Sequence, residues 1–132
     1  MKKLMNGAQM KRIDVYSIQE VGIPSLVLME RAALCVTEAV LEKIKKTDKV
    51  LCVCGSGNNG ADGMAVARQL TERGISAEVY TTAEEGKGTE ELNRQRAILQ
   101  KLGIVFVNDI PAGEYNCIID AGFGIGLSRT IT

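Results

Sequence analysis

The stretch Val50-Leu51-Cys52-Val53-Cys54-Gly55-Ser56-Gly57-Asn58-Asn59-Gly60-Ala61-Asp62-Gly63 decides the fold. Its first five residues are continuously apolar, the pattern of a strand covered on both faces in the middle of a parallel sheet. A turn rich in glycine and asparagine follows, and a helix is predicted from Gly60 to Arg73. Downstream the pattern alternates: a strand from Ser76 to Thr81, a helix from Thr89 to Leu102 and a strand from Ile104 to Val107. Tyr115 to Asp120 forms another buried strand, and Gly122-Phe123-Gly124-Ile125-Gly126 turns after it. Upstream, Met10, Ile13, Val15 and Ile18 mark a helix from Ala8 to Glu20 that Gly22 and Pro24 end. A longer helix follows Pro24, with Leu26, Leu28, Met29, Ala32, Ala33, Val36, Ala39, Val40 and Ile44 as its apolar stripe. The sum is an α/β fold: a Rossmann-like, three-layer α/β/α, doubly wound and mostly parallel sheet with two N-terminal helices. The charged segment from Ala83 to Gly88 reads as an exposed, solvated loop.

Composition removes several classes of function. The chain has 132 residues, 45% of them hydrophobic and 24% charged, which suits one modest core. Sixteen Lys and Arg balance sixteen Asp and Glu, so no basic field exists for nucleic acid or an anionic membrane surface. No apolar segment follows Lys2 and Lys3 as in a secretory signal, and no apolar run approaches the roughly 20 residues of a membrane span. The expectation is a cytoplasmic protein. Histidine is absent, which excludes Ser-His-Asp, Cys-His and His-Glu-x-x-His chemistry. Cys35, Cys52, Cys54 and Cys117 all sit in apolar stretches and read as free buried thiols rather than disulfides or zinc ligands.

Both glycine-rich segments fall at strand carboxyl ends, where open α/β sheets bind ligands. Gly55, Gly57 and Gly60 satisfy a GxGxxG spacing ahead of a helix whose N-terminus favours a phosphate. They equally suit a tight strand-to-helix turn, with Asn58 and Asn59 tolerating left-handed backbone and Asp62 charging the first helical turn. Asn58, Asn59 and Asp62 also offer oxygen ligands for a hard cation and hydrogen bonds to ribose. Asp120 either caps its own turn or contacts a ligand or cation, and the glycines after it let backbone approach closely. No acid ends the second strand at Val79-Tyr80-Thr81-Thr82, which disfavours an ordinary NAD dehydrogenase half-domain.

Gly57 to Gly63 and Asp120-Ala121-Gly122-Phe123-Gly124-Ile125-Gly126-Leu127-Ser128-Arg129 resemble the two signature loops of the YjeF N-terminal family of NAD(P)HX epimerases. Met10, Asp14, Gly22-Ile23-Pro24 and Leu28-Met29-Glu30-Arg31-Ala32 resemble its N-terminal helices. The resemblance implies epimerisation of the R and S hydrates of NADH and NADPH, NADHX and NADPHX, with a bound potassium ion (K+). It implies that Asn58, Asn59, Gly60, Ala61 and Asp62 contact substrate. Asn59 and Asp120 would then ligate potassium, and Gly124, Ile125, Gly126, Leu127, Ser128, Arg129 and Thr130 would wrap the substrate phosphates. Ala61, Gly122 and Thr130 depart from the family's usual residues without removing a charged or amide ligand.

The same resemblance makes residues 1–132 a single domain that stops before a strand ending in Asp-x-Pro-Ser-Gly, so the expected catalytic aspartate lies beyond Thr132. It further implies a homodimer and a dehydratase partner, fused or separate. The rival reading is a non-catalytic nucleotide-binding or scaffold module of the same fold, as in RNA-decapping scaffolds.

Overall fold

The computed structural model describes residues 22, 24–110, 114–121 and 126–128. In chain order these form α1 (Ser25–Leu41), β1 (Lys49–Cys54), α2 (Asn58–Glu72), β2 (Ser76–Thr81), α3 (Glu90–Lys101), β3 (Cys117–Ala121) and β4 (Gly126–Ser128). The sheet order is β2-β1-β3-β4. β1 pairs in parallel with β2 and with β3, and β4 runs antiparallel to β3. This is the Rossmann-like, mostly parallel α/β arrangement that the sequence implies. The helix expected from Ala8 to Glu20 lies outside the described residues.

β1 is central because it is apolar on both faces: Val50, Leu51, Cys52 and Cys54 have no exposed surface. Strand alternation sends Val50, Cys52 and Cys54, with their register partners Cys117, Ile119 and Ala121, to one face. Ala77 and Val79 of β2 join them, and α1, α2 and α3 complete this core with Met29, Ala33, Val36, Val40, Met64, Leu70, Leu92 and Leu99. Fully burying a side chain the size of Leu70 contributes about 1.5–3 kcal/mol.

Pro24 starts α1, and its carbonyl accepts from the Val27 and Leu28 amides at 3.1 and 3.3 Å. α1 ends at Leu41, before Ile44, which still packs on the core from the following turn. Thr89 caps α3, its hydroxyl accepting from the Leu92 amide at 3.2 Å, while Glu90 and Glu91 open the helix and Lys101 closes it, as the helix dipole favours. The segment expected as a strand from Ile104 to Val107 makes one bridge, Phe106 to Val79, with hydrogen bonds from Val79 to Val105 (3.0 Å) and from Val107 to Val79 (2.8 Å).

A polar cluster fixes α1 against the other helices. The Glu30 carboxylate accepts from Arg68, from Gln69 at 3.1 Å and from Gln95 at 3.3 Å. Gln69 in turn accepts from the Thr37 hydroxyl at 2.8 Å, and both residues are buried. Burial alone would raise the Glu30 pKa, but the hydrogen bonds from Arg68, Gln95 and Gln69 outweigh it, and the carboxyl titrates below its ordinary range. α2 is thereby held from the α1 side as well as from the sheet.

Candidate functional site

The carboxyl ends of β1, β2 and β3 converge on one edge of the sheet, and the backbone joins them. The Gly55 amide donates to the Ala121 carbonyl at 3.2 Å, and the Thr82 amide donates to the Cys54 carbonyl at 3.3 Å. The first glycine segment, the end of β2 and the end of β3 are therefore adjacent. This is the edge at which open α/β sheets take ligands.

α2 begins at Asn58, two residues earlier than the sequence suggests, with Gly57 in extended backbone (φ −99°) as its N-cap and no side chain capping it. Asn58 and Asn59 are thus helical, and no non-glycine residue has positive φ among the described residues. The left-handed role expected of the two asparagines is not what the turn uses. Asp62 falls in the second turn rather than the first and is buried at 6% exposure. The first helical hydrogen bond runs from Ala61 to Gly57 at 3.2 Å. A helix N-terminus with no side-chain cap suits an anion.

Two glycines permit the helix to approach this closely. A methyl at Gly60 would overlap the Gly55 carbonyl oxygen and stand 2.8 Å from its carbon. One at Gly63 would stand 2.6 Å from Ala121 Cβ and 2.9 Å from Cys54 Sγ. Gly57 has open space around it, so the spacing Gly55-x-Gly57-x-x-Gly60 combines a cap with a close contact.

Asn58 is exposed, Asn59 half-buried, and Gly60 and Ala61 buried. Asp120 is exposed on β3, opposite Val53 of β1 and Gly126 of β4, on the strand face that alternates away from Ile119 and Ala121. Gly126, Leu127 and Ser128, expected in and after a glycine turn, form β4 paired with Asp120, Ile119 and Ile118. A strand of three residues with one large apolar side chain leaves too little periodicity to be read from sequence. Gly124, Ile125, Arg129 and Thr130 lie outside the described residues. Among the described residues no cluster of three His, Cys, Asp or Glu side chains could hold a metal ion. Asn59 and Asp120 present amide and carboxylate oxygens, the donor chemistry of a hard cation.

None of the four cysteines forms a disulfide; Cys35 is exposed and the others are buried. Burial pushes the Cys54 thiol up to about 12, against the opposing pull of Arg96, and Cys52 rises well above its ordinary value for the same reason. Thiolate chemistry at this edge is thus disfavoured despite the position of Cys54 beneath α2.

The segment from Ala83 to Gly88 is more than the solvated loop that its charges suggest. The Arg96 guanidinium, 6% exposed and 5.9 Å from the Phe106 ring centre, donates to the Ala83 carbonyl at 2.6 Å. Gly88 packs on Ser56, and the Thr89 amide donates to the Ser56 carbonyl at 3.2 Å. The sequence does not reveal the roles of Gly88 and Arg96, because their partners are backbone carbonyls, which carry no residue signature. No helix among the described residues is long and apolar enough to cross a membrane.

Several known proteins are similar to this chain. NAD(P)H-hydrate epimerase of Oenococcus oeni is 41% identical over 130 residues, 97% of this chain and 62% of that protein. The Weissella koreensis protein of the same name is 40% identical over 124 residues, 93% of this chain and 56% of its own. That of Limosilactobacillus fermentum is 39% identical over 132 residues, covering 98% and 63%. The chain thus spans about three-fifths of the length of these relatives. The crystal structure of yeast ynu0, YNL200c, superposes with a TM-score of 0.70 at 22% identity over 93% of this chain and 57% of that one, a likeness of fold. Residues 25–132, from the first residue of α1 through both glycine segments, match the family described as YjeF-related protein N-terminus, and the chain belongs to that family.

Proposed function

We propose that this protein acts in nicotinamide nucleotide repair as an NAD(P)H-hydrate epimerase, an isomerase that interconverts the R and S forms of NADHX and NADPHX. The observation that carries the reading is the joining of the first glycine segment to the end of β3, where the second begins in sequence, through the bond from Gly55 to Ala121. Relatives named for this activity match 93–98% of the chain.

Asn58 to Asp62 bind and orient the substrate, and the N-terminus of α2 receives a phosphate. Gly124 to Thr130 wrap the substrate phosphates. Asn59 and Asp120 hold a potassium ion, which supplies fixed positive charge beside the anionic substrate. Inverting the hydroxyl-bearing carbon requires a proton donated to that hydroxyl, its departure as water as the ring nitrogen pushes in its electron pair, and readdition of water from the opposite face with return of the proton. The carboxylates that this chain brings to the edge are buried Asp62 and exposed Asp120. The same reading implies a cytoplasmic homodimer working beside a dehydratase, fused or separate, that consumes the S epimer.

The test is a dehydratase-coupled epimerase assay in potassium, on this chain and on one extended to the length of its relatives. Turnover by either supports the proposal. If both are inert on intact substrate, the chain is a non-catalytic nucleotide-binding module.

A further inference from the structure

The β2–α3 connection meets the β1–α2 turn at one peptide group. The Ser56 carbonyl accepts from the Thr89 amide at 3.2 Å, and Gly88, at φ +94°, lies so close that a methyl there would stand 2.7 Å from the same oxygen and 2.7 Å from Leu92 Cδ2. The peptide between Ser56 and Gly57 is trans, so its C=O and N–H point in opposite directions. Fixing the carbonyl toward Thr89 therefore aims the Gly57 amide away from α3. Both ends of the connection are pinned: Thr89 is the cap of α3, and Ala83 is held by buried Arg96.

We propose that Gly88 and Thr89 are positioning residues that lock the Ser56–Gly57 peptide, with Arg96 as their anchor, so that the Gly57 amide is preset as a donor to a substrate phosphate. This rests on the reading that the β1–α2 turn binds a nucleotide. The connection meets Ser56 through its own backbone, which is why it needs a glycine at 88. A preset donor loses no reorganisation on binding, whereas a rotated peptide turns a carbonyl toward the anion.

Gly86 supplies an internal control. It lies in the same loop with φ +80°, but a methyl there meets nothing within 4 Å. Gly86→Ala and Gly88→Ala thus share the strain of alanine in left-handed backbone, and only Gly88→Ala disturbs Ser56. Two readouts are compared: exchange of the Thr89 and Gly57 amides in the ligand-free protein, and affinity for NADP+ by calorimetry. The expected result is a loss of melting temperature in both variants, larger in Gly88→Ala, with Thr89 exchange accelerated and NADP+ binding weakened, each by about tenfold or more, in Gly88→Ala alone. Equal exchange and equal affinity in the two variants would overturn the proposal. If the unsubstituted protein binds no NADP+, the nucleotide reading fails, and the exchange comparison still decides whether Gly88 locks this peptide.

Discussion

Replacing Gly60 by alanine tests how closely α2 is seated on the β1 turn. The added methyl would overlap the Gly55 carbonyl oxygen and lie 2.8 Å from its carbon and 3.0 Å from the Gly55 nitrogen. All three atoms are backbone, so no rotamer change relieves the contact, and the helix N-terminus or the turn must move. Overpacking of this kind costs about 3 kcal/mol, at the upper end of the usual range. Alanine in place of glycine within a helix returns about 1 kcal/mol, which leaves a net loss of about 2 kcal/mol. For a domain of this size that lowers Tm by about 6–10 °C, measured by calorimetry or circular dichroism. Gly57→Ala is the reference, because a methyl there meets nothing and only the cap preference changes, a loss of about 1 kcal/mol or less. A Gly60→Ala protein that melts at or above the Gly57→Ala variant would refute the close approach.

Stability should fall as pH drops through the folded Glu30 pKa. Because that pKa is depressed, the contribution is complete above the ordinary carboxylate range, and a Glu30→Gln variant should show a weaker acid dependence of Tm; identical pH profiles would remove Glu30 from the balance. In the folded protein an alkylating reagent should label Cys35 rapidly and leave Cys52, Cys54 and Cys117 untouched, with four adducts after unfolding without reductant. Early labelling of Cys54 would contradict its burial. Potassium, compared with a non-binding cation at equal ionic strength, should raise Tm, and alanine at Asn59 or at Asp120 should abolish the rise; a rise that persists in both variants would exclude them as ligands.

The element order was legible because its signals are periodic or punctuated. The unbroken apolar run of β1 marks a central strand, Pro24 marks the start of α1, and Thr89 with Glu90 and Glu91 marks the start of α3. The contact of the first glycine segment with the end of β3 is legible only as a topological expectation, since the bond from Gly55 to Ala121 links backbone to backbone. α2 starts two residues before the position that its sequence predicts, because asparagine disfavours helix interiors, yet Asn58 and Asn59 occupy a first turn, where polar side chains are tolerated. The contact of Gly88 with Ser56 and the anchoring of Ala83 by Arg96 depend on where two loops meet in space. Only the tertiary fold supplies that information.

The place of β1 between β2 and β3 also sets an order of assembly. β1, α2 and β2 are consecutive and can pair as soon as they are made, whereas the bond from the Lys49 amide to Asn116 joins residues 67 positions apart. Closing so long a loop is slow relative to local pairing, and synthesis delivers β3 after β1 and β2. Pulse-labelled exchange during refolding should therefore protect Val79 before Ile119; simultaneous protection would mean that the sheet forms in one step. Asp120 and β4 arrive with β3, so the strand edge that carries the candidate site forms only when β3 docks. On the proposed reading, a chain in which β3 has not docked presents no complete nucleotide site, so nucleotide binding would report that docking.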